Sequence, residues 1–144
     1  MEKTDKGVYC LILFLCETCR LEVGKLGIIE FPKGYYCYVG SAMNSLKKRI
    51  ERHLRGDKRV HWHIDYLLEV AHIEEVLKFK TSERIECFLS KKLYALSDGF
   101  IKDFGSSDCG CRTHLYYFTE YPIERVSYLN LYELEVVWQK LLRR

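Results

Sequence analysis

The strongest candidate for chemistry in this sequence is Arg49, which lies in a segment crowded with positive charge. Its guanidinium is a planar, permanently charged fork that can hold a phosphate by two parallel hydrogen bonds. Residues 47–59 contain seven Lys or Arg and two acidic residues, whereas the whole chain carries a net charge of +3. Such a patch attracts polyanions because neutralising phosphates releases counterions, although a basic run is also common on a solvated helix face. The residues expected to bind nucleic acid are Lys47, Lys48, Arg52, Arg55, Lys58 and Arg59.

Glu86 is a second candidate, as a carboxylate that binds a metal ion. On a helix with about 100° between residues, Glu86 lies only about 60° from the middle of the Leu89, Leu93 and Leu96 stripe. A carboxylate at the margin of a buried face needs a partner, which a magnesium ion, Arg49 or a lysine would supply. The alternative is an edge residue that forms a salt bridge or reaches solvent.

Cysteine and histidine residues form a third candidate group, which would bind zinc. Cys109, Cys111 and His114 are close enough in sequence to ligate one ion, and His61 or His63 would be the fourth ligand. The alternative is a set of small buried thiols beside a histidine that anchors a loop.

Length and composition indicate one globular domain. The chain has 144 residues, of which 48% are hydrophobic and 30% charged. We expect a domain over residues 1–120 and a helical appendage over 121–144 that packs on it. The apolar run after the polar start is too short to cross a membrane, so we expect no membrane association. Seven cysteines, an odd number, favour reduced thiols and a cytoplasmic location.

The first half of the chain must position Arg49. The apolar run Val8–Leu15 predicts a strand covered on both faces, and residues 20–31 predict a hairpin. Residues 35–39 predict a further strand, followed by a tight turn at Gly40. A helix capped by Asn44 or Ser45 then carries the basic residues and stops at Gly56.

The second half must position Glu86 and the cysteines. We expect a short helix over 60–68, a strand over 73–80 and a helix over 82–97 behind a Thr81-Ser82 cap. The helix should bury Ile85, Phe88, Leu89, Leu93 and Leu96. Small residues predict a loop over 105–111, residues 114–119 a strand, and the chain from Asn130 a helix.

Two tripeptides give the sequence a family resemblance. Gly7-Val8-Tyr9 and Tyr38-Val39-Gly40 resemble the paired motif of the GIY-YIG nucleases. Arg49 and His53 fall where that family's helix carries its catalytic arginine and a common histidine. Glu86, with Leu89 three residues later, matches the glutamate that binds the divalent ion.

The resemblance implies a role for each of these residues. Tyr9 and Tyr38 would orient or deprotonate the attacking water, and a phenol beside an arginine and a metal ion would have its ionised form favoured. Arg49 would hold the scissile phosphate, and His53 would assist a tyrosine or the phosphate. Glu86 would bind one Mg²⁺ or Mn²⁺, which keeps most of its waters.

Within that superfamily, the sequence resembles the branch catalogued as domain of unknown function 123. It shares that branch's long insertion between the two tripeptides, the Trp62-His63-Ile64-Asp65 segment and residues 107–114. Relatives are sometimes fused to a DNA-repair glycosylase, which implies a repair or nucleic-acid-processing context. The final asparagine of many GIY-YIG nucleases has no equivalent after Glu86.

The expected fold is therefore α+β and sandwich-like. It has a small mixed, mainly antiparallel three-stranded central sheet flanked by helices, with an inserted hairpin and a C-terminal helix. The expected function is metal-dependent endonuclease activity, with DNA favoured over RNA. The alternatives are a non-catalytic nucleic-acid-binding module of the same fold and a protein-interaction domain that dimerises through its tail helix. A monomer is favoured because most amphipathic helices complete their own core.

Overall fold

The computed structural model describes residues 5–56, 58–106, 109–127 and 135–136. The strands are β1 (Gly7–Leu15), β2 (Cys19–Glu22), β3 (Ile28–Phe31), β4 (Gly34–Ala42), β5 (His72–Lys80), β6 (Gly99–Phe100), β7 (Leu115–Phe118) and β8 (Glu135–Val136). The helices are α1 (Leu46–Leu54), α2 (His63–Leu67), α3 (Glu86–Leu96) and α4 (Ile123–Ser127), and a single 3₁₀ turn covers Gly24–Leu26. The fold is mixed α+β, as the sequence predicts.

The main sheet is antiparallel throughout, in the spatial order β6-β7-β4-β1-β5-β8. Five of these strands lie within residues 7–118, and β8 adds two residues at one edge. The prediction of a mixed, three-stranded sheet is therefore wrong. The sheet is wider because β7 pairs with β4, and the short strands β6 and β8 extend the two edges.

The apolar strand β1 lies at the centre of the sheet, between β4 and β5. Its odd-numbered side chains from Tyr9 to Leu15 point to one face and its even-numbered ones from Val8 to Ile12 to the other. Buried side chains of α1 and α2 cover the first face, and those of α3 and α4 cover the second. The sheet is thus a middle layer, which explains why β1 reads as a near-continuous apolar run.

The predicted hairpin is confirmed. Strands β2 and β3 pair only with each other in the described residues and form a separate two-stranded sheet. Strand β1 therefore pairs directly with β4, which places Tyr9 opposite Gly40 and Leu11 opposite Tyr38. Because the hairpin leaves that register intact, the long insertion does not separate the two tripeptides in space.

Helix α2, His63–Leu67, is shorter than the predicted 60–68, and α3 departs from its prediction in two ways. Helix α3 begins at Glu86, not at residue 82, and its first turn has no side-chain cap. Phe88, predicted to be buried, is 56% exposed, whereas Leu89 and Leu93 are buried. Because the helix starts four residues later, Glu86 occupies its first position and lies beside the positive end of the helix dipole.

The predicted tail helix from Asn130 lies mostly outside the described residues. Its described part, Glu135–Val136, is a strand that pairs with Leu77 and Lys78 of β5, so the prediction of a helix is wrong there. None of the helices in the described residues is both long and apolar enough for a membrane span.

Candidate active site

A cleft of about 240 Å³ opens beside the C-terminal end of β4. Strand β7 pairs with β4 only as far as Tyr38. The residues of β4 after Tyr38 have no partner among the described strands on that side, and Gly40 and Ser41 among them line the cleft. The residues that line it are Tyr9, Tyr38, Gly40, Ser41, Arg49, His61, Trp62, His63, Glu86 and Gly105. Four of the five predicted site residues, Tyr9, Tyr38, Arg49 and Glu86, therefore meet at one cavity.

His53, the fifth predicted site residue, lies behind this cavity. Its Nε2 shares a hydrogen bond of 2.7 Å with the Tyr9 hydroxyl, and both side chains are 2% exposed. His53 reaches Tyr9 from α1, where it follows Arg49 by one helical turn. The same helix therefore supplies the guanidinium of the cleft and the partner of its tyrosine.

Gly40 provides the room for this tyrosine. A methyl group on Gly40 would lie 2.4 Å from the Tyr9 hydroxyl oxygen, which no packed structure accommodates without a shift. The sequence prediction of a glycine turn is wrong, since Gly40 lies inside β4 and has no positive φ. The requirement at this position is space for the phenol opposite and not an unusual backbone angle.

The tyrosines and the histidine are electrically neutral in the folded protein near pH 7. Burial raises the pKa of Tyr9 above its ordinary value, and the smaller opposing effect of Arg49 does not offset it. Burial and the neighbouring Tyr9 raise the pKa of Tyr38 well above its ordinary value, while burial lowers the pKa of His53 to about 3. Without a metal ion, Arg49 lowers the pKa of Tyr9 by less than desolvation raises it; that an arginine and a metal ion together favour the ionised phenol stays a prediction.

Arg49 is held at the cleft by backbone and by an aromatic ring. Its Nη1 donates a 2.8 Å hydrogen bond to the carbonyl oxygen of Ser41, in the part of β4 beyond its pairing with β7. Its guanidinium carbon lies 4.6 Å from the centre of the Trp62 ring, and that of Arg52 lies 4.2 Å from the same ring. These contacts fix a guanidinium, which still has further N–H donors, over the cavity.

Glu86 is held by contacts from two directions. The Ser41 hydroxyl donates a 3.0 Å hydrogen bond to its Oε1, and His114 Nδ1 lies 3.0 Å from its Oε2, an ion-pair distance. Burial opposes a charge on His114, but the contact with Glu86 is strong enough that the pKa of His114 is raised above its ordinary value. The Glu86 side chain is 28% exposed, so it faces both the cleft and a buried histidine.

The predicted nucleic-acid-binding residues do not form one uniform surface. Lys47, Lys48, Arg55 and Arg59 are exposed. Arg52 instead forms two hydrogen bonds of 2.9 Å to Asp65, whose side chain is 0% exposed. Lys58 donates to the carbonyl oxygens of His53 and Arg55, so its ammonium folds back onto α1.

Asp65 accepts hydrogen bonds that fix the segment next to the cleft. Although burial opposes it, the bonds from Arg52 and from the backbone N–H groups of Trp62 and His61 keep the pKa of Asp65 below its ordinary value. The Arg52–Asp65 pair thereby fixes the segment that carries Trp62. Asp65 is a structural support and does not line the cavity.

A second group of side chains lies behind Glu86. The thiols of Cys87, Cys109 and Cys111 and a ring nitrogen of His114 all lie within 4.8 Å of one another. Three of these residues are the zinc ligands predicted from sequence. The fourth position belongs to Cys87 and not to His61 or His63, and His63 Nδ1 instead accepts a 2.9 Å hydrogen bond from the Gly105 N–H.

Comparison with known families identifies this chain. The family described as Domain of unknown function DUF123 matches residues 8–134. The chain belongs to the DUF123 family. The DUF123 match contains every residue of the cleft and of the cysteine cluster. No curated protein and no solved structure matches the chain.

Sequence reasoning missed five residues of the two sites of this DUF123 protein: Ser41, His61, Trp62 and Gly105 of the cleft, and Cys87 of the cysteine cluster. Trp62 had a usable signal, because an aromatic residue between two histidines and close to a basic helix is a candidate for stacking on arginine. Ser41 follows the second tripeptide and is one residue beyond the cleft glycine. Cys87 had no local spacing to mark it, since its partners are brought to it only by the fold.

Proposed function

We propose that this DUF123 protein is a metal-dependent endonuclease that hydrolyses phosphodiester bonds, with DNA as the favoured substrate and repair or processing as its context. The observation that carries the proposal is the meeting of Tyr9, Tyr38, Arg49 and Glu86 at one cleft of about 240 Å³. The resemblance of the two tripeptides to the GIY-YIG motifs supports the same reaction. Each group required for hydrolysis has a candidate at this cavity.

Arg49 would bind the scissile phosphate. Its bond to the Ser41 carbonyl oxygen and its position over Trp62 fix the guanidinium before substrate arrives. A fixed cation loses little side-chain entropy on binding and stabilises the charge that develops on the phosphate oxygens. A lysine would keep the charge but lose the paired geometry.

Tyr9 and Tyr38 would position the attacking water. The hydrogen bond between Tyr9 and His53 orients the phenol, and the Tyr9 side chain lines the cleft. Because both tyrosines are neutral, they bind and orient water and do not act as preformed bases. The position of the nucleophile is thus set by two rigid strands, β1 and β4.

Glu86 would hold the divalent ion. Each of its oxygens contacts one protein atom and has a further lone pair, and the side chain is 28% exposed at the cleft. A single carboxylate of this kind fits Mg²⁺ or Mn²⁺, which keep most of their waters. When bound, such an ion supplies a Lewis acid beside the phosphate and lowers the pKa of coordinated water.

The exposed basic residues would bind the flanking nucleic-acid backbone. Lys47 and Lys48 lie on the first turn of α1, the helix that carries Arg49, and Arg55 and Arg59 follow its end. They are exposed and lie on either side of Arg49 in sequence, so phosphates along a strand could be neutralised in succession. Arg52 and Lys58 would stabilise this region and not bind phosphate directly, because their charged groups form hydrogen bonds within the protein.

The test is incubation with labelled single-stranded, duplex, flap and junction DNA and matching RNAs, with and without Mg²⁺ or Mn²⁺. We expect metal-dependent cutting that falls at least about 100-fold in Glu86→Gln and in Arg49→Lys. Matched controls are Glu83→Gln, an exposed glutamate just before α3, and Arg20→Lys, an exposed arginine on β2. Cutting that persists in both cleft variants would overturn the proposal.

A second candidate is a nucleic-acid-binding module that has the same cleft but does not cut. It is favoured by the contacts of both Glu86 oxygens with Ser41 and His114, which compete with a metal ion for the carboxylate. Salt-dependent binding of the same nucleic acids, without cutting in either metal, would establish this candidate and exclude the endonuclease.

A further inference from the structure

We infer that Cys87, Cys109, Cys111 and His114 form a structural zinc site that holds the 109–114 loop against the first turn of α3. The four ligand atoms lie within 4.8 Å of one another, and Cys109 Sγ is 3.5 Å from His114 Nε2. Ligands of a tetrahedral zinc ion are separated by about 3.3–3.8 Å, so small side-chain movements close this set on one ion.

The chemistry of the ligands selects the metal. Three thiols and one imidazole are soft ligands that favour Zn²⁺, whereas Mg²⁺ and Ca²⁺ prefer oxygen. Cys₃His is a complete tetrahedral set and leaves no position for substrate, as in structural zinc sites. This site would therefore be separate from the divalent ion of the cleft.

The histidine has the two contacts expected of a zinc ligand. Its Nε2 lies toward the thiols, and its Nδ1 lies 3.0 Å from Glu86 Oε2. Ligating histidines usually place their second ring nitrogen against a carboxylate, which fixes the orientation of the ring. His114 is 2% exposed, so an imidazole confined between thiols and an acid has little freedom to turn away.

A zinc ion at this position would link a loop to a helix. Cys87 belongs to α3, whereas the other three ligands belong to the segment between β6 and β7, which contains no helix or strand where it is described. This segment contains several small residues and contributes few apolar side chains to the core. A metal ion that joins it to α3 would replace the hydrophobic contacts that it lacks.

The first test is the metal content of the full chain purified from zinc-supplemented cells. We expect about one zinc per chain, and Cys87→Ser and Cys111→Ser should bind at least about tenfold more weakly in competition with a metal-binding dye. Cys16→Ser is the matched control, because Cys16 is an exposed thiol outside the cluster. Absence of stoichiometric zinc from the wild type, or an equal affinity in Cys87→Ser, would overturn the inference.

A second test does not depend on whether the variants fold. Zinc is removed from the wild type by a chelator and replaced by Co²⁺, which should give intense visible absorption and thiolate-to-cobalt charge transfer. Loss of zinc should lower Tm by about 5 °C or more, and its return should restore it. An unchanged Tm without these bands, or the brown colour of an iron–sulfur cluster, would contradict a zinc site.

These measurements require no nuclease activity. The zinc site can therefore fail while metal-dependent cutting persists, and the endonuclease proposal can fail while zinc remains bound.

Discussion

Glu86 and His114 join the two sites of this protein. Oε2 of Glu86 lies 3.0 Å from Nδ1 of His114, so the acid of the cleft contacts the histidine of the cysteine cluster directly. Glu86 is also the immediate sequence neighbour of Cys87. Any change in the cluster should therefore alter the orientation of the carboxylate before it alters any other group of the cleft.

Loss of a thiol from the cluster should weaken catalysis through this contact. We expect Cys111→Ser to lower kcat for phosphodiester cleavage by about tenfold with little change in KM, because Arg49 and the exposed lysines are untouched. Cys16→Ser should retain the wild-type kcat. A rise in KM alone would place the effect in substrate binding and contradict this coupling.

Adding one methyl group at Gly40 should displace Tyr9. The new carbon would lie 2.4 Å from the phenol oxygen, so Gly40→Ala should lower the free energy of unfolding by about 1–3 kcal/mol and reduce cleavage. The measurement is denaturant unfolding beside the cleavage assay. Gly56→Ala is the control, since nothing lies within 4 Å of a Cβ there. Equal stability of the two variants would contradict the steric argument.

Burial of His53 should make stability depend on pH. Its pKa is lowered from 6.5 to about 3 in the folded protein, so between these values the unfolded chain binds a proton that the folded chain does not. Above pH 6.5, His53 is neutral in both states and does not lower the free energy of unfolding. As pH falls below 6.5, protonation of the unfolded chain lowers the free energy of unfolding by up to about 1.4 kcal/mol per pH unit.

Denaturant unfolding at about pH 7, 6, 5 and 4 measures this dependence. His53→Gln should show a shallower slope, because glutamine does not titrate. His72→Gln, which changes an exposed histidine, should keep the wild-type slope. A His53→Gln slope as steep as that of the wild type would assign the pH dependence to other groups.

Neutralising exposed lysines should change how binding responds to salt. The double variant Lys47→Gln/Lys48→Gln should lower the slope of log K against log salt concentration by about 2 for DNA. Fluorescence anisotropy over a salt series measures it. Lys25→Gln/Lys33→Gln removes the same charge from exposed residues at the hairpin and should leave the slope unchanged.

Arg52 should matter for stability more than for binding. Arg52→Gln would leave the fully buried Asp65 carboxylate without its ionic partner, so the free energy of unfolding should fall by about 2–4 kcal/mol. Arg55→Gln, at an exposed position, should stay within about 0.5 kcal/mol of the wild type. Adding Asp65→Asn to Arg52→Gln should restore part of the loss, since the buried charge is then absent.

The sequence predicted the parts of this structure that depend on local patterns. The apolar run of β1, the hairpin and the Ser45 cap of α1 all follow from residue types along the chain, and all three are confirmed. The joint position of Tyr9, Tyr38, Arg49 and Glu86 followed from the resemblance of two tripeptides, a helix and a glutamate to a family pattern. Periodicity alone could not have placed them together.

The parts that could not be predicted depend on contacts between distant segments. Cys87 joins the cluster because α3 lies next to the 109–114 loop in the fold, and no spacing in the sequence indicates that these two segments are neighbours. Gly40 was misinterpreted because a glycine needed for a neighbour's ring looks the same in sequence as one needed for a turn. The neutral tyrosines were missed because desolvation depends on burial, which a list of nearby charges does not give.

The hairpin has a consequence for how this scaffold can change. Phe31 at its base and Val23, directly before its tip, are both 0% exposed, while the 3₁₀ turn at the tip, Gly24–Leu26, contains no buried residue. Because β1 and β4 pair without the hairpin, the chain can be lengthened at the exposed Lys25 of the tip while the tyrosine register stays fixed. Lys25 is therefore a position at which a foreign peptide can be inserted without rebuilding the cleft.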